Sequence, residues 1–379
     1  SKFHINKNDI INMFISRKSI DARKKDDVFY SYSIDLEVKN EQKYKKLEKI
    51  NVINLPQIEI KRNSKFKPVI VGAGPAGLFA ALTLVQNGIK PIIIEQGKTV
   101  EERKKDVESF LNNGKLNTLS NVQFGEGGAG TFSDGKLTTG IKDPRIRFVL
   151  QSFVECGAPE EILYLAKPHI GTDLLRNVVA GIREEIRSLG GDVRFEAKVT
   201  DFVIQDGKLT GLIINDKEEI KTEAAILAPG HSARDTFAML NKHNLSMEPK
   251  SFAVGVRVEH PQTMINQDLY GEPENDYLGA ASYKVTHTLE NGRGVYSFCM
   301  CPGGYVVNAS SEEGKQHMEK FRRFKPITAT TIVENSELFQ NFLESYGKIL
   351  ENGFDPWEVI ASKEAISMIS EAAKLLKSK

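Results

Sequence analysis

The chain of 379 residues is 40% hydrophobic and carries 51 Lys and Arg against 50 Asp and Glu. That length predicts two or three domains with a real core, and a net charge of +1 argues against the concentrated basic surface that a nucleic-acid partner needs. Three cysteines are too few for a disulfide framework, no apolar run approaches the ~20 residues of a membrane helix, and no signal peptide opens the chain, so a cytoplasmic protein with no membrane partner is expected.

Residues 1–62 read as a small α+β domain, split-βαβ-like in outline. A short helix is expected from Asn8 to Ser16 and a charged loop from Arg17 to Lys25. A strand follows from Asp26 to Val38, with Val28, Tyr30, Tyr32, Ile34 and Leu36 on one face. The linker Asn51 to Ser64 ends this module, in which no chemistry is recognisable; a packing or partner role is expected.

Residues 63–240 form the organising domain. Pro68 to Val71 is an apolar run suited to a buried parallel strand, and Gly72-Ala73-Gly74-Pro75-Ala76-Gly77 matches G-x-G-x-x-G. In that pattern Gly72 makes the tight turn, Gly74 admits a pyrophosphate to the backbone, and Gly77 lets helix and strand pack closely. Pro75 suits the first helical position, and Asn87-Gly88 ends the helix. The second strand, Pro91 to Ile94, runs into Glu95, eighteen residues past Gly77, where a carboxylate accepts the hydroxyls of an adenosine ribose. Strand, glycine turn, helix, strand and acid together are far more specific than the glycines alone. They define a dinucleotide site with its pyrophosphate on a helix N-terminus.

A helix is expected from Gly97 to Phe110, with Arg103 on it as a candidate phosphate partner or, equally, an exposed arginine. Asn121 to Arg145 then gathers Gly125, Gly127, Gly128, Gly130, Gly135 and Gly140 among Ser, Thr, Asp and Lys. Glycines let backbone amides converge on an anionic or flat ligand, so this loop reads as a second wall of the nucleotide site; a flexible lid is the rival reading. Thr172 to Gly190 is a helix capped by Thr172, with Leu174, Leu175, Val178, Val179, Ile182 and Ile186 on one face. Strands are expected over Val193 to Val199 and Glu223 to Ala228, with a hairpin of Phe202 to Ile204 and Leu209 to Ile214 across Asp206-Gly207. Ala228-Pro229-Gly230-His231-Ser232 turns the chain back toward the nucleotide.

Residues 241–315 read as a β-rich cap or substrate domain, with strands at Phe252 to Val258, Ala280 to Val285, Val295 to Cys299 and Tyr305 to Asn308. Residues 316–379 read as mainly helical, with an amphipathic helix from Ala365 to Lys377.

The blocks VGAGPAGLFAA, IIIEQGKTVEERKKDVESF, NVQFGEGGAGTFSDGKLTTGIKDPR, KPHIGTDLL, LAPGHSARDTF, SFAVGVRVEHPQ and CPGGYVVNASSEEG occur in order, and with IDARKKDDVFYSYSIDLEV they span roughly residues 16–314. This combination resembles a largely uncharacterised bacterial family of FAD-dependent dehydrogenases within the glutathione-reductase-like, two-domain flavoproteins. The resemblance implies an α/β fold: a Rossmann-like FAD-binding domain with an inserted β-rich substrate domain and the small N-terminal module. It implies non-covalent FAD, with the AMP half on Gly72, Gly74, Pro75, Ala76, Gly77, Glu95 and Gln96. It also implies flavin contacts from Gly125, Gly127, Gly128, Ala129, Gly130, Thr131, Ser133, Gly135 and Lys136, and an adenine contact from Val199. The resemblance also leads one to expect a late glycine-rich segment closing the flavin site, and the text after Gly314 shows none.

Flavin carries the redox chemistry in such proteins, so a titrating catalytic side chain is optional. Lys136 is a candidate for the flavin N1–C2=O edge or a surface lysine, and His169 for a place near the ring or an ordinary turn histidine. Ala228, Gly230, His231 and Arg234 are candidates for phosphate or substrate-anion contacts, with Asp235 an alternative partner for Arg234. Cys299-Met300-Cys301 lacks the C-x-x-C geometry of a redox dithiol, and no metal-ligating spacing is present. A second dinucleotide fingerprint is absent, so NADH or NADPH as donor must dock without its own Rossmann unit. The expected activity is hydride transfer between flavin N5 and an unidentified small molecule. The alternative is a structural or sensory FAD whose N-terminal module binds a protein or RNA.

Overall fold

The computed structural model describes residues 5–45, 47–50, 65–133, 135, 137, 139, 141–248, 255–288, 294–306, 308–312 and 327–334. They fall into two compact units, one centred on residues 29–247 and the other on residues 248–306 with the strand at 327–334. The linker Asn51 to Ser64, Lys136 and the helix expected over Ala365 to Lys377 lie outside the described residues.

In the first unit, β1 (Ile10–Asp21) and β2 (Phe29–Val38) form an antiparallel hairpin. The helix expected from Asn8 to Ser16 is therefore strand almost throughout. Ile10, Ile11, Ile15 and Ile20 are stiff, β-branched side chains, and β2 supplies cross-strand partners: Ile15 faces Ile34 and Ile20 faces Tyr30. No α-helix occurs among the described residues 5–50, so the split-βαβ outline is not found. The hairpin joins the rest of the unit at Lys18, whose amide donates to Tyr164 O at 2.7 Å and whose carbonyl accepts from Ala166 N at 2.9 Å.

The expected βαβ unit is present as β3 (Val69–Val71), α1 (Pro75–Gln86) and β4 (Ile92–Ile94). With β5 (Asp192–Arg194) and β9 (Ala225–Leu227) these strands make a parallel sheet in the order β5-β4-β3-β9. Successive side chains leave opposite faces of a strand. Ile70, Ile93 and Val193 thus enter one core, with Leu78 and Leu82 of α1 and Val178, Ile182 and Ile186 of α5 (Thr172–Ser188). Val69, Val71, Ile92 and Ile94 enter another, with Val199, Leu212 and Met239. Each isoleucine so buried contributes roughly 1.5–3 kcal/mol, which explains why three-residue strands suffice. Leu174, expected on the apolar face of α5, is exposed, and Gly171 rather than Thr172 occupies the cap position, with no side-chain capping bond.

The antiparallel meander covers the second face. It comprises β6 (Val199–Gln205), β7 (Lys208–Ile214) and β8 (Glu218–Lys221). Asp206 and Gly207 have φ of 50° and 72°, the geometry of a two-residue hairpin turn. Strand β8 was not anticipated, although Asn215-Asp216, at φ 52° and 58°, is the same turn chemistry. Four further helices frame the site: α2 (Val100–Asn113), α3 (Gly130–Ser133), α4 (Arg145–Glu155) and α6 (Arg234–Lys242).

The second unit contains β10 (Gly255–Pro261), α7 (Gln262–Tyr270), β11 (Thr286–Thr288), β12 (Gly294–Cys301) and β13 (Ile327–Glu334). Its sheet is antiparallel with the order β10-β13-β12-β11. Two of the expected strands are found, near 252–258 and 295–299; those at 280–285 and 305–308 are not strands among the described residues. Strand β13 falls where the sequence reads as mainly helical. Its text, Ile-Thr-Ala-Thr-Thr-Ile-Val-Glu, is β-branched enough to favour a central strand once β10 and β12 flank it.

Candidate functional site

The site is built at the C-terminal ends of β3 and β4. Gly72 has φ 103° and donates its amide to Ile94 O at 2.8 Å; a Cβ there would run into the carbonyl of Ala228. A Cβ on Gly77 would collide with the carbonyl of Gly72, so the helix can approach the turn only without a side chain. Helix α1 starts at Pro75 with Gly74 as its cap and no side-chain capping bond, leaving its first amides to an outside acceptor.

Glu95 stands at the end of β4, 5% exposed. Its Oε2 accepts the amide of Ala73 and its Oε1 the amide of Gly97, each at 2.8 Å. A carboxylate has about four acceptor positions, so this residue can shape the turn and still accept hydroxyl donors. Gln96, half-buried, follows it.

The second glycine loop lies directly on the first. Gly127 donates its amide to Ala73 O at 2.8 Å, and the space beside Gly74 is bounded by the Cα of Gly128. The loop is held by backbone hydrogen bonds, from Gly128 N to Gly125 O, Thr131 N to Gly128 O, and Phe132 N to Ala129 O. Gly130 opens the short α3, which contains Ser133. Gly135 continues into a ladder with the segment around His169: Gly135 O accepts from Ile170 N at 2.9 Å, and Leu137 N donates to Pro168 O at 3.2 Å. His169 itself is exposed at that edge.

Arg103 is where sequence and structure part. It has no exposed surface. Its Nε donates to Asn121 O at 2.8 Å, Nη2 to Val122 O at 3.0 Å, and Nη1 to Glu126 O at 2.6 Å and Gly125 O at 3.3 Å. Its guanidinium also sits 4.7 Å from the Phe132 ring centroid. The expectation that it meets a phosphate gives way: its donors are spent on shaping the second loop. Burial lowers its pKa to about 10, against the pull of Glu95 and Glu126, and it stays charged.

Beneath the loop lies a group that sequence reading did not single out. Glu126, with no exposed surface, accepts through Oε2 from Val100 N and from Arg183 Nη1, both at 2.7 Å. Arg183 also donates to Glu101 and Glu184. Burial opposes the charge on Arg183, but its hydrogen bonds to Glu101 and Glu184 raise its pKa above the ordinary range. Burial pushes the Glu126 carboxyl up to about 7 despite this partner, because desolvation outweighs one shared guanidinium. The sole sequence signal was an acid inside a glycine run.

A third segment closes in from β9. Ala228 N donates to Val71 O at 2.8 Å, and Gly230 turns the chain with φ 79°. Ser232 Oγ donates to Gln123 Oε1, and Gln123 Nε2 donates to Ala309 O, so three segments meet at Gln123. His231 is exposed, its Nε2 3.4 Å from Ser232 Oγ. Arg234 pairs with Glu312, while Asp235 pairs with Lys198 at 2.5 Å; the Arg234–Asp235 alternative is not what forms. Val199 is buried in the core. Among the described residues no group of three His, Cys, Asp or Glu is placed to hold a metal, and no helix is long and apolar enough to cross a membrane. Cys299 and Cys301 lie on β12.

The site has what an FAD needs: a helix start with no side-chain cap, a turn only glycine fits, an acid at the second strand end and a second glycine loop bonded to the first. Residues 66–244 match the profile of the pyridine nucleotide-disulphide oxidoreductases, and residues 251–336 match an FAD-dependent protein, C-terminal domain-like profile. Residues 1–37 match a domain of unknown function. An uncharacterised protein of Clostridium beijerinckii is 50% identical over 327 residues, 83% of this chain and 60% of its own. A digeranylgeranylglycerophospholipid reductase of Haloferax volcanii is 24% identical over 256 residues, 66% of this chain and 55% of its own. Among solved structures, a glycine oxidase of Bacillus cereus aligns with a TM-score of 0.31 at 14% identity, over 48% of this chain and 60% of its own. This chain therefore spans little more than half the length of those two sequence relatives. Fold and site define a Rossmann-type nucleotide-binding domain of the kind that FAD-dependent proteins carry. Residues 66–244 are thus similar to the pyridine nucleotide-disulphide oxidoreductases, and residues 251–336 to the C-terminal domain of FAD-dependent proteins.

Proposed function

We propose that the protein moves a hydride between an organic small molecule and flavin N5, and that it belongs with the glutathione-reductase-like flavoproteins. The carrying observation is the hydrogen bond from Gly127 to Ala73, which joins the two glycine loops beside Glu95. Bound FAD supplies a two-electron acceptor, and the chain supplies position and electrostatics. The amides at the start of α1 would hold the pyrophosphate, and Glu95, which braces Ala73 and Gly97, would accept the ribose hydroxyls. The loop from Gly125 to Gly135 walls the site, with His169 and His231 exposed on segments bonded to its two ends. The β-rich second unit is assigned to substrate, and NADH or NADPH to the donor role.

The test is the absorbance spectrum of the purified protein before and after anaerobic NADH or NADPH. Flavin bands that bleach with one nucleotide support the reading and identify the donor. A flavin that neither nucleotide nor any organic donor reduces shifts the role to structure or sensing. A protein that takes up no added FAD defeats it.

A further inference from the structure

The buried carboxyl of Glu126 is unevenly satisfied. Oε2 accepts two hydrogen bonds, whereas Oε1 is buried with no partner among the described residues. An ionised carboxylate spreads its charge over both oxygens, so a bare one in a dry interior is costly. A proton on Oε1 exchanges the bare charge for the smaller cost of an unpaired hydroxyl and leaves both Oε2 bonds in place. The residue is also wired to the nucleotide site through its backbone. Its amide donates to Lys98 O at 3.2 Å, its carbonyl accepts from Arg103 at 2.6 Å, and the next residue, Gly127, donates to Ala73 O at 2.8 Å.

We infer that Glu126 is a positioning residue for FAD: neutral, it holds the second glycine loop against the fingerprint turn; ionised, it loosens that loop and weakens nucleotide binding. The inference rests on reading the two glycine loops as the FAD site. Several charged groups face Glu126. They are Arg183 from α5 and Glu101 and Arg103 from α2. Arg183 divides its donors among Glu126, Glu101 and Glu184, so its charge does not belong to Glu126 alone. Glu101 adds repulsion, and burial places the titration near neutrality. The negative charge of a pyrophosphate at the start of α1 would oppose ionisation further, so the FAD-bound form would hold the proton more tightly. By linkage, affinity then falls as pH rises through neutrality.

The experiment is a titration of FAD into the full chain from pH 6 to 8.5, followed by flavin fluorescence, with the wild type and Glu126→Gln. The wild type is expected to lose affinity by about fivefold across that range. Glu126→Gln, an uncharged isostere, is expected to bind throughout as the wild type does at pH 6. Should the variant not fold, calorimetry of the wild type at pH 7.5 in buffers of different ionisation heat reads the same coupling, since FAD binding must take up a fraction of a proton. Equal pH slopes in both proteins, or binding without proton uptake, overturn the role of Glu126 alone. A wild type that binds no FAD at any pH overturns the proposed function and this inference with it.

Discussion

The amide of Gly127 donates to the carbonyl of Ala73 across 2.8 Å, joining two glycine loops separated by more than fifty residues of chain. Neither loop alone is a cofactor site. Bonded together, they share one wall, so whatever holds the second loop also governs the first.

Arg103 is the main holder. Replacing it with Met keeps bulk but takes the donor from the carbonyls of Asn121, Val122 and Glu126 in a buried setting, while Gly125 O keeps the amide of Gly128. The expected loss is about 3–5 kcal/mol of stability, read as a lower urea midpoint. Arg103→Lys, with a compact ammonium in place of a planar fork, is expected to recover only part of it. A full recovery would show that charge, not the fork, matters.

Glu95 has two jobs that separate by substitution. Glu95→Gln keeps one acceptor oxygen and sets an amide group against a backbone donor. It is expected to weaken FAD binding by about tenfold and to cost roughly 1–2 kcal/mol of stability. Fluorescence titration and denaturant unfolding read the two effects. Unchanged FAD affinity would remove Glu95 from the site.

Gly77→Ala tests the close approach of helix and turn. The added methyl meets the Gly72 carbonyl, a backbone atom with nowhere to go. The flavin-to-protein absorbance ratio of the purified variant is expected to fall to near zero, while far-ultraviolet circular dichroism keeps its α/β shape. A variant that retains flavin would mean the turn relaxes freely.

Acid–base behaviour follows from Glu126. Its pKa is raised in the folded state, so its contribution is fully present below the unfolded value of 4.5 and is lost as pH rises through about 7. Glu101, Asp143 and Asp201 are held down to about 2, the first by Arg183, the second by Arg145 and the third by His243, so their windows lie below those of ordinary carboxylates. Between pH 4.5 and 7 the wild type is expected to lose on the order of 3 kcal/mol relative to Glu126→Gln. Urea midpoints measured at pH 5, 6, 7 and 8 check it; parallel curves would contradict a buried, titrating Glu126.

The nucleotide-binding half was legible because its signals are local. Glycine spacing, an apolar strand before it and an acid after the next strand describe one continuous βαβ unit, and Asp206-Gly207 announced a hairpin by its backbone preference alone. Strand β2 lies within the expected strand Asp26 to Val38, whereas β1 and β13 fall where helix is expected, because a short run of this kind suits helix or strand until a partner is known. Long-range pairing was beyond any spacing rule. Arg103 reads as a phosphate partner or an exposed arginine on a helix, and only the folded chain brings Asn121 to Glu126 around it. Glu126 finds Arg183 fifty-seven positions away, and Gln123 meets Ser232 at a separation of 109. Local backbone preference thus laid out the cofactor turn, whereas burial, which no single segment contains, decided which charges became its scaffold.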